Sequence, residues 1–304
     1  MTADPPLSAP RWRIIAAFAT VYLVWGTTYF AIGEIVHTIP PLLMTASRFL
    51  VAGTLLFTWR RFKAPAPPTW AHWRAAALIS ALLLLGGYGT TAWAQQRVPS
   101  GLTALLVSVT PLLMVMIDWL RPGGTRPHGA VFAGLALGGC GIVLLLGPAR
   151  LEAARETSLG WALLCLCASL SWSTGSILSR QVKQAPDVFL AAGMQMLVGT
   201  VWLALAALIA GEPAHFSWAV VDAHAIVAWL YLTFAGSLAA FSAYLYLLKM
   251  STPARASTYA YVNPAIAVFV GWALGHEVVN SRILFAASLL LGGVALITVW
   301  RDKK

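Results

Sequence analysis

Charge is what this sequence lacks. Of its 304 residues only 10% are Asp, Glu, Lys or Arg, and the acidic ones number 10. A water-exposed globular domain of this length covers its surface with far more, so that class is excluded. Cysteine is scarce as well. Cys140, Cys165 and Cys167 all fall inside apolar runs, which excludes a disulfide framework, and Cys165-Leu166-Cys167 alone is too few ligands for a zinc site. The six histidines, His37, His72, His128, His215, His224 and His276, sit in loops or at the ends of apolar runs. There is no His-Glu-x-x-His, no Gly-x-Ser-x-Gly, no paired carboxylate and no phosphate-cradling loop, so neither catalysis nor ATP-driven work is expected. No cofactor and no metal follow from these residues.

Apolar length is what the sequence has instead. The apolar fraction is 59% and the mean hydropathy is +0.77, the composition of a chain that lives in lipid. A helix needs about 20 apolar residues to cross about 30 Å of hydrocarbon. Ten such runs can be placed, over 13–32, 41–59, 75–94, 102–120, 128–147, 159–178, 188–210, 225–248, 257–274 and 282–300. The fold class expected is therefore an all-α integral membrane protein of ten transmembrane helices. Arg11 and Arg13 precede a first run too long for a signal peptide and without a clear cleavage site, so it is read as a retained helix.

The arrangement repeats. Val24-Trp25-Gly26-Thr27-Thr28 is echoed by Ser171-Trp172-Ser173-Thr174-Gly175, and Val109-Thr110-Pro111 by Val262-Asn263-Pro264. The first echo lies 147 residues on and the second 153, a difference one loop absorbs. Five runs per half reverse the sense of the second half. The expected domains are a first five-helix repeat over 1–149 and a second, inverted one over 150–304, the design of alternating-access carriers with a midplane site. The linker 148–158 is read as an external connector, and the proline-containing loop 60–72 as extended and free of helix. With both termini in the cytoplasm, 15 basic residues fall on the inner side and Arg97, Arg150, Arg155 and Arg282 on the outer, leaving Arg48 inside a run. The same count accounts for the formal charge of +10. Lipid headgroups, rather than nucleic acid, are its partners.

The order of these elements resembles a known family. Ten runs in two fives, the Trp25-Gly26 and Trp172-Ser173 elements and the approaches Pro99-Ser100-Gly101-Leu102-Thr103-Ala104 and Thr252-Pro253-Ala254-Arg255-Ala256-Ser257 are similar to the drug/metabolite transporter superfamily, EamA type. Gly275-His276-Glu277 adds to the likeness, with His276 standing where the family's Gly-Glu is uninterrupted. Within that family the chain resembles the YddG-like exporters of aromatic amino acids and methionine. The resemblance implies export across a bacterial inner membrane by a multi-pass carrier of a small neutral solute.

Residues that could carry transport follow from cost. Pro111 and Pro264 lie about ten residues into their runs, where each removes an amide donor and frees the carbonyl four residues back, Val107 and Ala260. Freed carbonyls at membrane depth need protein or cavity partners, so both prolines mark a helix break or hinge at the site. Trp25 and Tyr29 share a helix face with Tyr22; Trp172 shares one with Ser176 and Ser179; Tyr88 and Trp93 lie in the outer half of the third run; Tyr259 shares a face with Asn263. These aromatic and hydroxyl side chains are the candidate substrate wall. Gly134 and Gly138 form a GxxxG pair for close helix packing, and Gly138 with Gly139 is answered by Gly292 and Gly293. Arg48, in its run, matches Gln195 in the other half and is a candidate charged site, while Lys249, on one face with Tyr246 and Ser242, is a candidate inner gate.

Acids near the runs, Glu34, Asp118, Asp187, Asp222 and Glu277, all stand close to ends. A buried carboxylate, the usual carrier of a lipophilic cation or a proton, is therefore missing, which disfavours multidrug cation exchange. A neutral or zwitterionic solute with an apolar side chain suits the candidate wall. Opened carbonyls near Pro111 or Pro264 would take its ammonium, Asn263 or Arg48 would assist its carboxylate, and Trp25, Trp172 and Tyr259 would hold the side chain. Another neutral drug or metabolite is the alternative substrate and a channel the rival mechanism. A monomer is the expected state.

Overall fold

In lipid the backbone has no water to satisfy its amides, so a chain this apolar closes its hydrogen bonds within helices. A computed structural model describes residues 10–63, 66–98, 100–124, 126–156, 159–266 and 281–299, and every regular element among them is helical. In chain order these are α1 (Arg11–Ile35), α2 (Pro41–Arg61), α3 (Trp70–Ala94), α4 (Ser100–Val107), α5 (Thr110–Leu120), α6 (Gly129–Glu156) and α7 (Leu159–Ser179). Then follow α8 (Val188–Ile209), the short α9 (Glu212–His215), α10 (Ala223–Met250), the short α11 (Pro253–Ala256), α12 over residues 259–266 and α13 (Ser281–Val299). Six of them, α1, α2, α3, α7, α8 and α10, are long and apolar enough to cross a membrane. Thr110–Leu120, Gly129–Leu144 and Leu284–Ile297 are shorter apolar helices. Gly275, His276 and Glu277 lie outside the described residues.

Local chemistry sets the starts. Asp187 caps α8 by accepting the Leu190 amide at 2.8 Å, Asp222 caps α10 through Ala225 at 2.7 Å, and Thr252 caps α11 through Arg255 at 3.3 Å. Pro40 and Pro41 open α2, which ends on Arg60 and Arg61, where cations favour a helix C-terminus. Several expectations are corrected here. The 60–72 loop is not free of helix, since α2 runs through Arg61 and α3 begins at Trp70. The connector from 148 is helical as far as Glu156, because the helix-forming run from Leu151 to Glu156 outweighs the single Pro148. The 102–120 run is two helices rather than one, broken at Ser108 and Val109, and the 257–274 run likewise begins with a turn at Ser257 and Thr258 before α12.

Small residues decide which helices touch. α2 lies along α8 and α6 along α13. At the first crossing a methyl added at Gly53 would meet Met196 and the Leu197 backbone, and one at Gly193 would meet the Phe57 backbone. At the second, Gly134 faces the Gly293 carbonyl. Such contacts let backbones approach where lipid offers no hydrophobic drive of its own. The main core, which includes Val21, Trp25, Phe49, Leu83, Leu84, Trp172, Phe241 and Tyr244, fills the space between α1, α2, α3, α7 and α10.

α3 and α10 depart from the α-helix at corresponding points. Ala81–Gly89 in α3 and Leu232–Phe241 in α10 are π-helical. A π turn widens the helix and misaligns its carbonyls, and such turns cluster at functional sites. Here the carbonyls are taken by side chains of the opposite half. Ser171 Oγ donates to the Leu82 carbonyl at 2.9 Å, and Trp25 Nε1 to the Gly236 carbonyl at 3.4 Å.

Candidate functional site

Four aromatic side chains meet in the middle of the bundle. The Trp25 ring of α1 lies 5.5 Å from Trp172 of α7 and 4.9 Å from Tyr259 of α12, edge to face in both pairs. Tyr88, at the end of the π segment of α3, stands 5.2 Å from Trp172, again edge to face. These angles are the ones ring quadrupoles prefer. Together with Tyr29, Thr28, Ser169, Thr110 and Asn263 the four rings line a cavity of about 60 Å³. That is room for a few waters, well below the size of a pocket filled by a small ligand. None of the described residues that line it is Asp, Glu, Lys or Arg.

Two polar groups on this wall are buried with no partner among the described residues, Tyr88 Oη and Asn263 Oδ1. An unsatisfied buried polar atom costs about 1 to 3 kcal/mol, so each is a waiting donor or acceptor for whatever enters. Arg48 of α2 stands beside Tyr88. It is 1% exposed, its guanidinium lies 5.0 Å from the Tyr88 ring and 4.9 Å from that of Phe49, and its Nε has no partner. Among the described residues no carboxylate pairs with it; the Arg–carboxylate bridges there join Arg60 to Asp187 and Arg121 to Asp118.

The helix breaks sit against the cavity, but not as the prolines alone suggest. Pro111 starts α5 and is buried, and the Val107 carbonyl it releases accepts the Thr110 hydroxyl at 2.6 Å. The Thr110 hydroxyl takes one of that carbonyl's two acceptor sites, and Val107 itself lines the cavity. In the other half the echo of Thr110 is Asn263, while Thr258 Oγ1, six residues before Pro264, lies 2.7 Å from the Arg255 carbonyl and 2.5 Å from Tyr22 Oη. Pro264 is buried within α12.

Of the candidate wall residues, Trp25, Tyr29, Tyr88, Trp172, Tyr259 and Asn263 line the cavity. Ser176 reaches it through Tyr244, whose hydroxyl lies 2.7 Å from Ser176 Oγ and accepts Trp172 Nε1 at 3.1 Å. Trp93 does not belong there. It is 40% exposed and lies edge to face on Trp161, at the outer surface of the bundle. Tyr244 is the residue that sequence reasoning passes over. Fully buried, it stands 5.0 Å from Trp25, 5.1 Å from Trp172 and 5.6 Å from Tyr259.

The end of the bundle that is rich in basic residues holds a larger cavity of about 310 Å³, between the end of α7, the 180–187 loop, α8 and the end of α10. Lys249 lines it and donates to the Pro186 carbonyl at 3.0 Å. Arg180 lines it too, with one guanidinium nitrogen 2.5 Å from the Leu248 and Ser251 carbonyls. Burial lowers the Arg180 pKa, and Asp118 opposes that shift. Close by, Arg60 pairs with Asp187; burial alone would raise the Asp187 carboxyl, but the Arg60 hydrogen bond and the Leu190 amide bring it below the ordinary range. At the opposite end Glu212, which lies just past α8, accepts the Leu42 and Leu43 amides at 3.1 and 2.8 Å and is raised by burial, the two amides opposing.

Comparison with known proteins places this geometry. The model of the EamA-like transporter family matches the chain twice, over residues 12–147 and 159–299. The uncharacterized inner membrane transporter YedA of Escherichia coli K12 is 34% identical over 288 residues, which is 94% of this chain and 90% of that one. Protein PecM of Dickeya dadantii is 28% identical over 294 residues, 92% of each chain. The uncharacterized transporter YoaV of Bacillus subtilis is 24% identical over 289 residues, 94% of this chain and 97% of that one. A solved crystal structure shares the fold at a TM-score of 0.75 and 21% identity, covering 97% of this chain and 100% of the other.

Proposed function

Because the chain belongs to the EamA-like transporter family and is a multi-pass protein of the bacterial inner membrane, we propose that it is a secondary exporter of neutral amino acids with apolar or aromatic side chains. Its ten spans form two inverted repeats with both termini in the cytoplasm, and it works by alternating access. The matched π segments and the matched breaks before α5 and α12 support two repeats of one design. The fifteen-to-four distribution of basic residues supports the orientation, with the 310 Å³ cavity on the cytoplasmic side.

The observation that carries the substrate class is the central wall, five aromatic rings with no carboxylate among the described lining residues and with two unpartnered polar atoms. A zwitterion fits that chemistry. Asn263 Oδ1 accepts from its ammonium, Tyr88 Oη donates to its carboxylate with the Arg48 charge behind, and Trp25, Trp172 and Tyr259 enclose the side chain. At about 60 Å³ the centre is too small for such a solute, so the rings must part to admit it. That motion suits a rocking carrier better than a standing channel. No step of this reading calls for bond chemistry.

The test is counterflow of labelled phenylalanine and methionine in proteoliposomes, with and without a proton gradient. Saturable counterflow supports a carrier; flux proportional to concentration supports a channel. Trp25→Ala and Trp172→Ala should each cut transport by tenfold or more, and wild-type rates in both variants would remove the aromatic wall from the mechanism.

A further inference from the structure

The 310 Å³ cavity at the basic end is separate from the central one, and its lining has a chemistry of its own. Val182, Val188, Leu245 and Leu248 give it an apolar side, while Arg180 and Lys249 give it two cations. The acids near it are already committed, Asp187 to Arg60 and Asp118 to Arg121. The contacts that hold the two cations leave donors unused. Lys249 spends one of its three N–H groups on Pro186, and Arg180 spends a single terminal nitrogen on the end of α10. At this volume the cavity falls within the range of ligand pockets.

We propose that this vestibule is a second solute site, which takes an apolar carboxylate before it reaches the centre. The carboxylate is received by Arg180 and Lys249, and the apolar tail lies against Leu245 and Leu248. An isolated carboxylate and an amino acid share this chemistry; a free amine lacks it. The link to the centre runs along one face of α7. Ser169 lines the central cavity and Ser179 the vestibule, with Ser173 and Ser176 between them at helical spacing, all four buried. Tyr244 closes this line, since its ring stands against Trp25 and Trp172 while Leu245 and Leu248, next along α10, face the vestibule. The placing of this site ahead of the centre rests on the carrier reading above; the binding chemistry does not.

The test reads binding without transport. Purified protein is treated with limiting acetic anhydride, and acetylation of Lys249 is followed by mass spectrometry in the presence of 3-phenylpropanoate, phenylalanine or phenethylamine. The two carboxylates should slow acetylation of Lys249 at least fivefold and leave Lys63 unaffected, the amine should not, and Arg180→Gln should abolish the protection. Equal protection by phenethylamine, no protection by either carboxylate, or protection that survives in Arg180→Gln overturns the proposal. Failure of phenylalanine counterflow with protection intact would count against the amino-acid carrier and not against the vestibule.

Discussion

Gly193→Ala probes a close backbone approach between two helices. A methyl at Gly193 would stand 2.7 Å from the Phe57 nitrogen and 2.9 Å from its Cα. Ordinary contact begins near 3.4 Å, so α2 and α8 would have to part by about 0.7 Å at the crossing. The obstacle is backbone, which no change of rotamer can move. Overpacking of this kind costs about 1 to 3 kcal/mol, while Ala gains about 1 kcal/mol over Gly as a helix former. The two terms oppose each other, so the single variant is a poor measure. Gly33→Ala supplies the control, because nothing lies within 4 Å of its added methyl. Both substitutions share the propensity gain, which cancels, and the remaining gap of about 1 to 3 kcal/mol belongs to the crossing alone. Unfolding in mild detergent, followed by tryptophan fluorescence, should show Gly193→Ala melting below Gly33→Ala. Equal midpoints would refute the account of the crossing.

Other predictions follow from single contacts. Thr110→Val keeps the shape but leaves the Val107 carbonyl without its hydroxyl, so stability should fall by about 1 to 3 kcal/mol in the same melt, with Thr110→Ser restoring it. At the basic end, Asp187→Ala removes both the cap of α8 and the partner of Arg60 and should cost about 1 to 2 kcal/mol near neutral pH, whereas Asp187→Asn keeps the cap and should cost less. Because the folded carboxyl lies below its unfolded value, its contribution is present above about pH 4 and is lost as pH falls through the folded value. Wild type and Asp187→Ala should therefore converge in acid, and a gap that stays constant down to pH 2 would contradict the shift.

Hydropathy and repetition carry a good deal of this molecule. The 147-residue echo pairs Trp25 with Trp172, and the structure puts those two rings in contact. Spacing along α12 likewise places Tyr259 and Asn263 on the same wall. What escapes is whatever depends on hydrogen-bond register. Neither Ala81–Gly89 nor Leu232–Phe241 has a composition that distinguishes π from α turns, yet each bulge rotates the residues beyond it. Tyr244 is missed more simply: it stands two residues from both Ser242 and Tyr246 in plain α-helix, so a face drawn through those two and Lys249 leaves it on the far side, toward the centre. Trp93 fails on helix spacing as well. Five residues beyond Tyr88, it is turned away to the bundle surface. Glu212 reads as an ordinary loop acid in Gly211-Glu212-Pro213, because its partners are amides 170 residues away in the chain.

Glu212 also belongs to the most firmly tied helix pair among the described residues. The pair formed by α2 and α8 is held in its middle by the glycine crossing and at both ends by carboxylates, Asp187 at one and Glu212 at the other. Of the elements with breaks or π turns, α3, α4 with α5, and α12 supply half of the residues that line the cavity, the regular α1 and α7 the other half, and α2 and α8 none. A motion that opens the centre is cheaper through those irregular helices than through a pair tied at three levels. Glu212→Gln tests this division. The amide oxygen can still accept from one of Leu42 and Leu43, but its NH₂ turns a donor toward the other, an expected cost of about 1 to 3 kcal/mol. If the pair is a static frame, the variant should melt earlier with the KM for phenylalanine counterflow unchanged. A changed KM at an unchanged midpoint would place α2 and α8 among the moving elements.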